Sequence, residues 1–405
     1  MIFLFFTNKK EYIPIIGLTI YLSKIIQIAS PLFGISLVFF IQTLLFLFFF
    51  LLIFYGNSVI TDVFKGEEIK ILFGFCIFIF LNHIFFGSSY RHEPFDYSFK
   101  PIIHLLLICL LINYALIQRV HLNTILLQLR IVLWLNLALG GFILIFSDME
   151  QHTSIMLSES ASIGFNSNSF AFMCVQLFLI ELLFFKKFSF QSILLMSIPG
   201  FLCFSTLSRS GFLALLVVLF LWFIYNEGRG RMIFPIFTIS TILFSFNYNL
   251  IFERFFSLGD ALAMQDGSNI MRYQLIIRGI YMFLDYPFLG TGIGTYHMYR
   301  YSYPEAILIS RSDSFVDSHN VYVQLLAETG IVGFLIFILF FYFLFKKIKI
   351  YKIFNPRMYH YLKINMILYM LHGLFSHDFY RFHMLIPVLL GALYTNSGTR
   401  LDIKK

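Results

Sequence analysis

Long apolar runs, almost free of charge and separated by short polar breaks, recur along the whole chain. Residues 32–55, 101–118 and 232–252 contain no Asp, Glu, Lys or Arg, and a helix needs roughly 20 such residues to cross a hydrocarbon core. Backbone groups in lipid must be satisfied internally, and the alternation suited to a barrel is absent, so these runs are expected to be helices. The composition agrees. Of 405 residues, 59% are apolar and 12% charged, with 55 Phe, whereas soluble domains carry about a quarter charged residues. An ordinary cytoplasmic enzyme, a disordered chain, a disulfide-rich module and a collagen-like fibre are excluded.

The expectation is an all-α, polytopic membrane bundle of about twelve spans. They fall at 12–29, 32–55, 68–86, 101–118, 124–147, 165–184, 189–207, 210–226, 232–252, 328–345, 358–376 and 383–398. The first pair reads as a hairpin turning near Pro31, and no repeat of fixed period is apparent. Lys9 and Lys10 follow a short apolar stretch, and no small-residue cleavage site follows the next, so the first span is not read as a removable signal. Three parts are expected: a bundle over 1–252, a loop with a surface helix over 253–327, and a C-terminal bundle over 328–405.

Basic residues set the orientation. With the N-terminus in the cytoplasm, sixteen Lys and Arg fall in inside segments and nine outside. The richest inside stretch is Lys346, Lys347, Lys349, Lys352 and Arg357. This satisfies the positive-inside rule and returns the C-terminus to the cytoplasm. The net charge of +8 therefore reflects topology; no basic face interleaved with stacking aromatics suggests nucleic acid.

The outer loop 253–327 contains Arg254, Arg272, Arg278, Arg300 and Arg311, and no Lys. Arg grips phosphate oxygens with a planar fork that Lys lacks. Salt bridges to Glu253, Asp285 and Asp313 are the plainer reading of the same residues.

Three outer-face places concentrate polar groups. At Ser208-Arg209-Ser210-Gly211 a guanidinium sits between two apolar runs, where it must snorkel or find a partner. Residues Asn269 to Pro287 read as a surface helix, on which Arg272 and Arg278 diverge by roughly 120° and cannot both reach one ligand atom. The following Gly290-Thr-Gly292-Ile-Gly294 lacks the setting of a dinucleotide loop and reads as a flexible or tight turn. At Asp317-Ser318-His319-Asn320-Val-Tyr322, Asp317 or Ser318 is the expected N-cap, which would put His319 in the first helical turn. There it could be a neutral base beside an anion site, or simply a cap.

The remaining histidines suggest no metal set; three of them, His372, His377 and His383, with Asp378 and Arg381, suggest a hydrogen-bonded boundary cluster. Cys76, Cys109, Cys174 and Cys203 lie in apolar runs and read as packing. Arg130 and Lys24 are expected to pair inside the bundle or to snorkel.

These motifs resemble the O-antigen polymerase and O-antigen ligase superfamily of bacterial envelope polysaccharide assembly. The resemblance rests on Thr206-Leu-Ser208-Arg209-Ser210-Gly211, on Arg272 before Asp285-Tyr-Pro287-Phe-Leu-Gly290-Thr-Gly292, and on His319-Asn320-Val-Tyr322-Val-Gln324-Leu-Leu-Ala-Glu328-Thr-Gly330. It covers roughly residues 200–345; Asn166-Ser-Asn168 is a weaker echo. It implies a GT-C-like fold in the inner membrane and metal-independent glycosyl transfer at the periplasmic face, without a cofactor. Arg209 and Arg272 would stabilise the departing lipid diphosphate, and His319 would be the general base. Arg278, Asn320, Tyr322 and Arg311 would bind substrate. The implied partners are an undecaprenyl-diphosphate-linked oligosaccharide, a glycan acceptor (a lipid-linked repeat unit or lipid A core), membrane lipid and a chain-length regulator. A polymerase is the leading expectation, a ligase the second. A flippase or other transporter is disfavoured because nearly all charge sits at the membrane faces.

Overall fold

The computed structural model describes residues 26–28, 67–86, 122–146, 163–165, 167–185, 189–206, 208–225, 267–296, 299, 318–375, 387–389 and 391–392. Expected spans 32–55, 101–118 and 232–252, most of 12–29 and 383–398, and residues Lys24, Arg254, Arg300, Arg311, Asp317, His377, Asp378, Arg381 and His383 lie outside that set.

Nine helices are described: α1 Glu67–Phe86, α2 Leu122–Phe146, α3 Ser167–Phe184, α4 Phe190–Ser205, α5 Arg209–Tyr225, α6 Gly267–Asp285, α7 Val321–Ile348, α8 Tyr351–Phe354 and α9 Pro356–Gly373. The expected span 12–29 is corrected at its end. Residues Ile26–Ile28 form strand β1, antiparallel to β2 at Ile163–Phe165, with Gln27 opposite Gly164. Isoleucine at three of these six positions suits extended backbone.

Helix α3 is the centre of the bundle, buried from Phe170 to Leu182 and packed against α2, α4, α5 and α9. Helix α7 packs on α1, α6 and α9, so α9 joins the two groups. Small residues let the helices meet closely. A Cβ on Gly211 would stand 2.3 Å from that of Ala171 (α5 on α3), and one on Gly279 2.4 Å from Val323 (α6 on α7). Such contacts hold helices together where lipid removes the hydrophobic drive between them.

The outward faces are as apolar as the core. Leu127, Ile131 and Leu135 of α2, Leu213, Phe220 and Phe223 of α5, and Leu335, Ile338 and Leu339 of α7 are all exposed. A soluble bundle presents polar residues there; these faces suit hydrocarbon. Among the described residues, the helical stretch Val321–Phe354 has the length and apolarity to cross a membrane. The described residues are mostly helical, and their apolar faces are consistent with a helical membrane protein.

Candidate functional site

Helix α5 opens on a hydroxyl lattice. Ser208 Oγ accepts the Gly211 N–H at 3.1 Å as a cap and lies 2.7 Å from Asn168 Oδ1, to which it donates. Ser210 Oγ lies 3.1 Å from Ser208 Oγ. One turn earlier, Thr206 Oγ1 donates to the Cys203 carbonyl at 2.7 Å and accepts the Ser208 N–H at 3.3 Å. Arg209 is thus the first residue of a fixed, capped helix and is half-buried. The positive end of the helix dipole and a guanidinium at one helix start favour an anion.

Helix α6 ends at Asp285, and the chain then turns into a break in α7. Gly330 has φ 62° and ψ −167°, so the helix cannot continue through it. The Ala327 and Glu328 carbonyls accept instead from Thr291 N–H at 3.0 Å and Gly292 N–H at 2.9 Å. Beyond the break, Ile331 N–H donates to the Pro287 carbonyl at 2.8 Å and Val332 N–H to that of Phe288 at 3.2 Å. The glycine-rich segment is therefore a tight buried turn, with positive φ at Gly290, Gly292 and Gly294, whose backbone replaces the missing turn of α7. Asn82 of α1 holds its other side, donating to the Leu289 carbonyl at 2.8 Å and accepting the Ile293 N–H at 2.9 Å.

The two arginines of α6 part as the helical angle requires. Arg272 is exposed, whereas Arg278 is 2% exposed, with its guanidinium 4.3 Å above the Tyr296 ring. Tyr296 donates its hydroxyl to the Leu275 carbonyl and its N–H to Glu328 Oε1 at 3.1 Å. Arg278 therefore packs between α6 and α7, on the turn that Glu328 holds.

The head of α7 differs from its expected form. Asn320 is the N-cap: its Oδ1 accepts the N–H groups of Tyr322 at 3.0 Å and Val323 at 3.1 Å. Ser318 Oγ instead braces the preceding turn, accepting the Asn320 N–H at 3.2 Å and donating to its carbonyl at 2.6 Å. His319 is thus outside the first helical turn, one residue before the cap, with φ 52°. The reason is competition between acceptors: an Asn carboxamide reaches two N–H groups from the cap position, and Ser318 is then drawn into a local turn. The Asn320 side chain, assigned to substrate, is engaged in this cap. The helix also begins seven residues before the expected 328, because the Gly330 break is bridged.

Contacts through α3 and α9 gather these pieces at one end of the bundle. Tyr322 donates its hydroxyl to the Met370 carbonyl at 2.7 Å, and its ring faces Gly373. Next to these, buried His372 meets Phe172 edge-on at 4.5 Å. Phe172 lies one turn along α3 from Asn168, which holds Ser208. Arg209 and the His319–Asn320 turn therefore share an end, and Gly279 brings α6 against Val323 there. Arg272 stands seven residues, about 10 Å of helix, before that crossing.

Sequence reasoning did not single out Asn82, which stands beside His83 in an otherwise apolar part of α1, and it named Glu328 only as part of the His319–Gly330 motif. Arg130 pairs inside the bundle as one of its two expected fates. Its Nε and Nη2 reach Glu181 Oε1 and Oε2 at 2.6 and 2.8 Å, and Trp134 Nε1 adds a bond of 2.7 Å.

Residues 192–338 match the family model described as O-antigen ligase. No curated protein matches the chain.

Proposed function

The match over residues 192–338 supports the O-antigen polymerase and ligase superfamily for this chain; on that premise we propose that it polymerises an envelope polysaccharide. It transfers a glycan from undecaprenyl diphosphate to the next lipid-linked repeat unit, at the periplasmic face of the inner membrane. The observation that carries this reading is the gathering of Arg209, at a capped helix start, and His319, beside the Asn320 cap, at one end of the bundle.

The chemistry follows from those groups. An acceptor hydroxyl oxygen attacks the sugar C1 as the bond from C1 to the diphosphate oxygen breaks. His319 takes the hydroxyl proton, and the diphosphate leaves with the bonding electrons. Its developing charge meets the guanidiniums of Arg209 and Arg272, an electrostatic stabilisation already in place before reaction. Attack opposite the leaving group inverts the anomeric carbon.

A second reading, transfer of finished glycan to lipid A core, is favoured by the matched family's description as a ligase. Purified protein given a lipid-diphosphate glycan and each acceptor in turn separates the two. A ladder of products on lipid-linked repeat units supports the polymerase; single addition to lipid A core supports the ligase; neither product overturns both. Chelator added to the same assay tests metal independence. The proposed topology has both termini in the cytoplasm and 253–327 outside. Cysteines at Ser257 and Lys349 should then label from opposite sides, and labelling from one side overturns it.

A further inference from the structure

Asn82 lies on α1, outside residues 192–338, and is 3% exposed. It sits one turn before the end of an apolar helix, where a buried amide is costly unless both its ends are satisfied. Both are, and by the same short turn: Nδ2 donates to the Leu289 carbonyl at 2.8 Å, and Oδ1 accepts the Ile293 N–H at 2.9 Å. A carboxylate could make one of these bonds and an apolar side chain neither. The turn so held is the segment that completes α7 across Gly330. Thr291 and Thr295 lock it internally at 2.8 Å, and Tyr296 at its end carries the Arg278 stack. Buried backbone groups of an irregular turn need hydrogen-bond partners from the protein, and Asn82 supplies two of them from a separate helix.

We infer that Asn82 is a positioning residue for the transfer reaction: through the Leu289–Ile293 turn it sets α6, which carries Arg272, against the head of α7, which follows His319. This rests on the function proposed above. Displacing a catalytic group by about 1 Å can cost roughly 10²-fold in rate, so a loosened turn acts on kcat.

Two variants test it in the full chain in nanodiscs. Asn82→Leu keeps volume and removes both bonds; Asn82→Asp keeps the acceptor and removes the donor. For Asn82→Leu, kcat should fall about 10²-fold with little change in KM for the lipid-diphosphate donor; Asn82→Asp should fall less. Spin labels on cysteines replacing Tyr273 of α6 and Leu335 of α7, both about half exposed at 50% and 57%, should show a broadened distance distribution in the Leu variant. Wild-type kcat with an unchanged distribution overturns the inference. So does activity that falls only in proportion to folded protein. If Asn82→Leu does not insert, Asn82→Asp carries both readouts. Failure of the wild-type chain to transfer glycan defeats the functional reading instead; the distance distribution then decides whether Asn82 holds the turn.

Discussion

Gly330 and Phe288 lie so close that a Cβ on Gly330 would stand 2.3 Å from the Phe288 carbonyl oxygen; one on Gly290 would stand 2.4 Å from the Glu328 carbonyl oxygen. The α6 turn and the α7 break are therefore one interlocked unit, closed by backbone on both sides.

Alanine at Gly330 or Gly290 should unlock that unit. Each position has positive φ, 62° and 70°, and non-glycine backbone in such regions costs about 1–3 kcal/mol before any clash. Both variants should lose at least that much stability in thermal unfolding in detergent, with activity falling too. Gly74→Ala is the control, since a Cβ there meets nothing within 4 Å; it should be neutral or better. Equal melting of all three would refute the interlock.

The Arg130–Glu181 pair predicts a double-mutant cycle with strong coupling. Removing one partner of a buried pair costs up to about 3–5 kcal/mol, while apolar replacement of both is often tolerated. The Arg130 side chain retains 24% exposure against 5% for Glu181, so solvent screening lowers the figure for this pair. Arg130→Met should destabilise clearly, and adding Glu181→Leu should restore most of the loss. Additive losses in unfolding midpoints would mean that the pair is not coupled.

Lysine substitutions separate the three arginines. Arg209→Lys and Arg272→Lys keep charge but lose the fork. Each should lower kcat by about 10²–10³-fold at normal expression, as removal of a preorganised charge donor does. Arg278→Lys, which disturbs a buried stack on Tyr296, should instead reduce folded protein. Full polymer synthesis by both Lys variants at 209 and 272 would remove the leaving-group role.

His319 allows a test that separates backbone from imidazole. Its φ of 52° is one that Asn and Gly adopt readily, so His319→Asn and His319→Gly preserve the turn before the cap. If the ring is the base, both variants should lose roughly 10²–10⁴-fold in kcat while remaining folded and able to bind donor. Near-normal turnover by His319→Asn would show that only the turn matters.

Helices α1 to α5 and α9 begin and end within three residues of the apolar runs that announce them, because apolar length and the demand for internal hydrogen bonds are local properties. The motifs at Ser208–Gly211, Arg272 and His319–Tyr322 were legible for the same reason: each is a short polar interruption beside a membrane-type run. The capping of α7 was not. Ser318 and Asn320 are both good caps, and what separates them is which oxygen finds two N–H groups in the folded backbone. Nor could sequence show that α7 starts at Val321, since its continuation past Gly330 depends on Pro287 and Phe288 carbonyls more than 40 residues away. Arg272 and Arg278 have the same side chain in one helix, and their angular separation followed from helical period alone; which one is buried followed from Tyr296. Local chemistry thus determined where helices and polar interruptions stand. Tertiary structure decided which groups are consumed in holding the fold, because hydrogen bonds between distant backbone segments leave no trace in sequence spacing.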